Sequence, residues 1–170
     1  MTLARSFPPI ESPSARVLVL GSMPGVASLE VGQYYAHPRN AFWPIMGELF
    51  GAGPDLPYER RTERLAASGV AVWDVLRECR REGSLDTSIE VASEQPNDFG
   101  GFLARCRQIE RIYFNGQKAE TAFLRHAAPL LDKTTADKLT LARLPSTSPA
   151  HAGRSFAQKL AEWRRVAEGV

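Results

Sequence analysis

Four short apolar runs set the limits on what this chain can fold into. They occupy residues 16–21 (Arg-Val-Leu-Val-Leu-Gly), 69–74 (Gly-Val-Ala-Val-Trp-Asp), 110–115 (Glu-Arg-Ile-Tyr-Phe-Asn) and 139–144 (Leu-Thr-Leu-Ala-Arg-Leu). Each is too short for a stable helix, and the first three end on a glycine or a turn-forming polar residue, the pattern of buried strands. Between them lie stretches with helical spacing. Phe42, Ile45, Met46 and Leu49 mark a helix over 40–50, and Pro44 is tolerated there only in the first turn. Further helices are expected over 58–67, from a cap at Asn97 through Cys106, over 117–126, and over 154–167. Strands alternating with amphipathic helices predict an α/β fold of three layers, with a central four-stranded parallel sheet covered by helices on both faces. Sheets of this kind carry their sites at the carboxyl ends of the strands. Those ends read Gly-Ser-Met-Pro-Gly (21–25), Trp73-Asp74, Phe114-Asn115-Gly116 and Leu-Pro-Ser-Thr-Ser-Pro (144–149).

Three segments lack a period. Residues 1–15 are rich in Pro and Ser and are expected to form an N-terminal arm, partly ordered at best, ahead of one domain over 16–170. Residues 22–39 and 80–96 are expected to be loops, the first long enough to suggest function.

Composition excludes several chemistries. Two cysteines, Cys79 and Cys106, cannot supply an iron–sulfur cluster or a thiolate-rich zinc site, and the three histidines show no metal-binding spacing. No metal or other cofactor is expected. The Walker lysine motif, G-x-G-x-x-G, G-x-S-x-G and the zinc-deaminase signature are all absent. A balance of 21 Lys+Arg against 19 Asp+Glu neither requires nor excludes nucleic acid. With no apolar run near the roughly 20 residues of a membrane span, and no signal-like stretch, a monomer in the cytoplasm is the expectation. What remains at the strand ends is a set of amides, hydroxyls and aromatics: Tyr34, Tyr35, Asn40, Asp74, Asn115, Ser146, Thr147 and Ser148. Aromatics stack on bases and amides read their edges, so a nucleobase fits such a pocket better than a sugar or a fatty acid.

The motifs themselves resemble those of the uracil-DNA glycosylase superfamily. Leu20-Gly-Ser-Met-Pro-Gly25 followed by Tyr35-Ala-His-Pro-Arg-Asn-Ala-Phe-Trp43 is similar to its first motif, and Leu144-Pro-Ser-Thr-Ser-Pro149 to its second, the loop that presses into DNA. With Trp73-Asp74 and Phe114-Asn115-Gly116 in their places, the resemblance runs from Arg16 to Trp163 and is closest to the hypoxanthine-DNA (deoxyinosine) glycosylases. It implies a monofunctional glycosylase with the superfamily's fold. Such an enzyme acts on DNA containing deaminated bases: hypoxanthine first, then uracil and xanthine. The chain departs from the best-known branch at Met23, where that branch has a water-orienting aspartate, and at Leu144, where it has a histidine contacting the leaving base. The resemblance therefore puts the catalytic polar group at Asn40, which would hold water at the anomeric carbon.

By the same resemblance, Ser22, Met23, Gly25, Tyr35, Asp74 and Asn115 line the base pocket. Tyr35 would stack on the flipped base. Asp74 would accept the ring N–H that hypoxanthine and uracil share, and Gly25 would leave room for a purine. Pro145, Ser146, Thr147, Ser148, His151, Arg154 and Arg39 are the expected DNA contacts. No lysine sits in the motif loops, so no Schiff-base lyase step is expected. Two other readings stay open at this level. One is a damaged-DNA binding protein that keeps the pocket without cleavage, and the other is a glycosidase acting on free nucleosides.

Overall fold

The computed structural model describes residues 2–170; Met1, part of the arm assigned to residues 1–15, lies outside the described residues. Strands β2 (Val17–Gly21), β3 (Val70–Asp74), β6 (Arg111–Asn115) and β7 (Thr140–Leu144) form the expected parallel sheet, in the order β3-β2-β6-β7. Register aligns the strand ends. Gly21 lies opposite Asp74, Leu20 opposite both Trp73 and Phe114, and Asn115 opposite Leu144. The four distinctive sequence segments therefore leave the sheet side by side on one edge.

Period-2 alternation divides the core in two. Leu18, Leu20, Ile112 and Phe114 face one layer, built from α4 (Phe99–Arg105) and α5 (Gln117–Ala122) through Phe99, Phe102, Ala119 and Phe123. Val17, Val19, Val70, Val72 and Tyr113 face the other. There α2 (Phe42–Phe50), α3 (Tyr58–Ala67) and α7 (Phe156–Glu168) bury Phe42, Ile45, Met46, Leu65, Trp163 and Val166. A capping box at Ser155 and Gln158 starts α7.

Several expectations need correction. Residues 80–96, expected to be a loop, begin and end in strands. β4 (Leu76–Arg81) pairs antiparallel with β1 (Thr2–Arg5) and with the short β5 (Gln95–Pro96), giving a second, three-stranded sheet. Leu76, Cys79 and Arg81 are buried while Arg77 and Arg80 are exposed. An arginine turned inward hid the strand from a hydrophobicity reading. The segment read as a partly ordered arm therefore has its first residues in a sheet, and Ile10 bridges Val72 at the free edge of β3. The stretch 22–39 contains a short helix, α1 (Val26–Val31), ended by Gly32 in the left-handed region at φ 68°. Asp98, not Asn97, caps α4 by accepting from Gly101 N, and Asn97 Nδ2 instead donates to the Asp74 carbonyl at 2.8 Å. The helix after β6 leaves α-geometry at Phe123, where a π-turn runs to Ala127. A further helix, α6 (Lys133–Lys138), capped by Asp132, precedes β7.

Candidate active site

The end of β2 is the floor of the site, and it admits only glycine. A Cβ on Gly21 would lie 2.5 Å from Asp74 Oδ1 and 2.9 Å from the Tyr35 hydroxyl. Three residues far apart in sequence thus converge on one point. Asp74 is 3% exposed, and its Oδ2 has no hydrogen-bond partner. Burial, and secondly the charge of Asp86, push its carboxyl up to about 7, with the Arg81 guanidinium opposing them. The Tyr35 hydroxyl is likewise buried without a partner. Burial and the Asp74 charge raise that phenol, and the neighbouring Asn115 amide works the other way. Tyr35 is the one described non-glycine residue at positive φ, 54°, a conformation that an L-residue holds only under constraint. Part of that constraint is visible: its ring stacks on Phe42 at 4.1 Å with 10° between the planes. One face of Tyr35 is thereby occupied by the protein itself.

The wall above β2 brings in residues that sequence reasoning missed. Ser22 Oγ donates to Asp86 Oδ1 at 2.5 Å. Asp86 sits on an exposed turn, Asp86–Ser88, but its carboxylate points inward; burial pushes it up, and the Ser22 bond, Arg81 and Lys118 hold it down. Arg81 is 2% exposed and donates from Nη2 to the Pro24 carbonyl at 2.5 Å. Both residues lie in the segment read as loop, where no periodicity marked one turn residue over another. Met23 packs into the core with Leu18 and Leu20. Gly25 caps α1, and a Cβ there would meet Ser84 Oγ at 3.3 Å. The space expected at Gly25 is thus backed by Ser84, which also accepts from Val26 N at 2.8 Å. Chain folding, not residue size, decides the room there.

Asn40 and the loop after β7 form the facing wall. Asn40 Oδ1 accepts from Phe42 N at 2.9 Å just before α2, and its Nδ2 has no protein partner among the described residues. Ala41 N donates to the Thr147 carbonyl at 3.0 Å. Thr147 is in turn held on both sides by Asn115, whose Oδ1 accepts from Thr147 N and whose Nδ2 donates to Thr147 Oγ1, each at 2.9 Å. The Asn115 amide thus fixes the loop that positions Asn40, with one Nδ2 hydrogen and one Oδ1 lone pair left over. Ser146 and Ser148 accept backbone N–H groups two residues on, from Ser148 and Ala150. The Pro145 carbonyl accepts from Trp163 Nε1 at 2.9 Å, and the His151 carbonyl from Lys159 Nζ at 2.7 Å. Leu144 is buried in the core, His151 and Arg39 are exposed, and Arg154 pairs with Glu162. Tyr34 is structural: it is buried, and its hydroxyl donates to the Pro8 carbonyl at 2.8 Å.

A second buried acid was not singled out by the sequence. The Glu94 carboxylate, fully enclosed, accepts from Lys118 Nζ and pairs with His126 Nε2 at 2.9 Å. It ties the residue just before β5 to α5 and the π-turn. Among the described residues no cluster of three His, Cys, Asp or Glu side chains is placed to hold a metal. Both cysteines are buried and free, with burial raising each thiol away from the reactive thiolate. No described helix is long and apolar enough to cross a membrane.

Comparison with known proteins matches this architecture. The model of the uracil DNA glycosylase superfamily matches residues 8–168. A hypoxanthine DNA glycosylase from Methanosarcina barkeri is 34% identical over 116 residues, 68% of this chain and 72% of that protein. One from Methanosarcina acetivorans is 36% identical over 118 residues, 69% of this chain and 73% of its own length. A solution NMR structure of a candidate uracil DNA glycosylase from Methanosarcina acetivorans superposes with a TM-score of 0.80 at 32% identity, covering 98% of this chain and 97% of the other. With its sheet order, its strand-end motifs and these matches in agreement, the chain belongs to the uracil DNA glycosylase superfamily.

Proposed function

We propose that this protein is a monofunctional DNA glycosylase. It removes deaminated bases from DNA, hypoxanthine first and then uracil and xanthine, and so opens base excision repair. The observation that carries this reading is the buried, unpartnered carboxyl oxygen of Asp74, beside the unpartnered Tyr35 hydroxyl, at the end of a sheet whose neighbours supply Asn40. A buried acceptor without a partner suits a ligand N–H. Hypoxanthine, uracil and xanthine all present such a group next to a carbonyl.

In this reading the target nucleotide leaves the duplex and enters the strand-end pocket. As the bond from sugar to base lengthens, positive charge builds on the sugar and negative charge on the base. Asn40 holds a water near the anomeric carbon with its free Nδ2 and the second lone pair of Oδ1. An amide is a poor base, so its contribution is position and electrostatics, and the water loses its proton only as the bond to C1′ forms. Oxygen bonds to C1′, the departing base takes the bonding electrons and then a proton, and an abasic site remains. The loop at 145–148 would bear on the DNA backbone, with Arg39 and Arg154 as phosphate contacts. The two hypoxanthine DNA glycosylases at 34% and 36% identity support hypoxanthine as the first substrate.

A binding protein without cleavage is the second reading, favoured by the burial of Met23 and Leu144 in the core. End-labelled duplexes carrying hypoxanthine, uracil or xanthine, treated with enzyme and then alkali, decide between them. Cleavage at hypoxanthine by wild type, with loss of about a hundredfold or more in Asn40→Ala and retained duplex binding, is the expected result. Binding without cleavage of any of the three would select the second reading. A borohydride-trapped protein–DNA adduct would end the monofunctional assignment.

A further inference from the structure

Arg81 is a buried cation with a single hydrogen bond. It is 2% exposed, and one of its nitrogens donates to the Pro24 carbonyl inside the turn after β2. Its Nε and Nη1 have no partner at all. A guanidinium cannot shed its charge, and burying such donors unpaired is costly. Asp74 is the mirror case, a buried carboxyl with Oδ2 unpartnered. Both groups border the turn after β2, Asp74 Oδ1 against Gly21 and Arg81 on the Pro24 carbonyl; each also feels the Asp86 carboxylate, and no hydrogen bond joins the two. An orphaned donor pair and an orphaned acceptor on the same turn match an occupant that carries a carbonyl next to an N–H.

Resting on the reading of this compartment as a base pocket, we propose that Arg81 is a specificity-determining residue. It donates to the carbonyl of the extruded base, while Asp74 accepts the adjacent ring N–H. This pairing answers a difficulty that Asp74 alone leaves open, because a carboxylate beside a carbonyl repels it. Deamination converts an amino group beside a bare ring nitrogen into a carbonyl beside a ring N–H. Adenine and cytosine therefore present the opposite polarity to both side chains, and their undamaged edges are refused. Guanine shares the carbonyl and N–H order, so its refusal belongs to other contacts.

The test is equilibrium binding of the whole protein to duplexes with a 2′-fluoroarabino sugar, which resists hydrolysis because fluorine destabilises the developing cation. The bases compared are hypoxanthine, 6-thiohypoxanthine, which keeps the N–H but offers a weak sulfur acceptor, and adenine. Wild type is expected to bind the oxo base about tenfold or more tighter than the thio base, as loss of a charge-assisted bond requires. In Arg81→Met the two should bind alike, at the weaker level, while binding to a duplex with an abasic analogue stays within about twofold. Circular dichroism checks the fold. Should Arg81→Met fail to fold, Arg81→Lys, which keeps the charge but shortens the reach, carries the variant arm and should narrow the preference. Equal binding of oxo and thio bases by wild type would overturn the assignment, and so would a preference untouched in the folded variant. If wild type tells none of these duplexes from undamaged DNA, the glycosylase reading itself fails. An oxo-over-thio preference that survives in Arg81→Met alongside the preference for hypoxanthine over adenine sinks Arg81 alone, because Asp74 by itself accounts for the second preference but not the first.

Discussion

A methyl group on Gly21 would stand 2.5 Å from Asp74 Oδ1 and 2.9 Å from the Tyr35 hydroxyl. Neither neighbour can retreat: Asp74 ends a paired strand and Tyr35 is stacked on Phe42. Gly21→Ala should cost about 1–3 kcal/mol of stability, roughly 2–10 °C in Tm, and lower kcat/KM on a hypoxanthine duplex at least about tenfold. Thermal melts and single-turnover cleavage check both numbers. Asp74 gives a pH signature of the opposite kind. The charged and titratable groups around it are Asp86, Arg81 from β4, and Tyr34 and Tyr35 from the loop before α2, with Lys118 acting on Asp86. Its folded value, about 7, lies above its ordinary 3.8, so the folded protein binds the extra proton in between. The stability this brings is full below the lower value and is lost as pH rises through the upper one. Relative to Asp74→Asn, wild type should therefore weaken between about pH 4 and pH 8, by at most about 4 kcal/mol. Paired urea titrations across that range would show it. Activity runs in the other direction. In the proposed role the acceptor is the carboxylate, so cleavage of hypoxanthine should rise with pH through about 7, and a flat profile would deny Asp74 that role.

At the scale of elements, the critical joint is between β6 and the loop after β7. Asn115 spends both ends of its amide on Thr147, and the Thr147 carbonyl holds Ala41 N, next to Asn40. The catalytic candidate is thus positioned through two hydrogen-bonded steps from a strand end. Asn115→Ala would leave the N–H of a fully buried Thr147 unpaired, at a cost of about 1–3 kcal/mol. Cleavage should fall mainly in kcat, with the KM for duplex little changed. The opposite pattern, a KM effect alone, would return Asn115 to direct contact with DNA or base. The β4 strand shows a different kind of joint. It is laid between β1 and β5, and its inward Arg81 reaches the turn after β2. The second sheet therefore serves as a wall of the site as well as an edge of the fold.

For the molecule as a whole, a formal net charge of +2 is too small to bring DNA in by itself. Affinity must come from cations placed at the strand-end face. Arg39 is exposed, and no ion pair holds it among the described residues, whereas Arg154 is already paired with Glu162. Arg39→Ala is expected to weaken duplex binding about equally for damaged and undamaged DNA and to flatten the plot of log Kd against log salt by about 1. Arg154→Ala should do less, because a pair must break before a phosphate is met. Binding isotherms at several salt concentrations measure both. An effect of Arg39→Ala confined to hypoxanthine duplexes would contradict the phosphate role.

What the chain's linear order determined was the sheet and its helices. The four parallel strands, β2, β3, β6 and β7, fall within a residue of the apolar runs, and α3 spans the residues that its spacing implied, because burial on both faces of a strand and on one face of a helix leaves a periodic trace. The motifs at the strand ends were legible for the same reason: turns need glycine, proline and short polar residues at fixed places. Only the tertiary structure decided what those residues touch. It made Asn115 a clamp on Thr147, set Ser84 behind Gly25, and folded Met23 into the core. Arg81 and Asp86 came into the site from a stretch with no apolar period, where an inward charge reads like any surface charge. Periodicity records which side of an element is buried, whereas a polar group's partner is set by chain segments dozens of residues away.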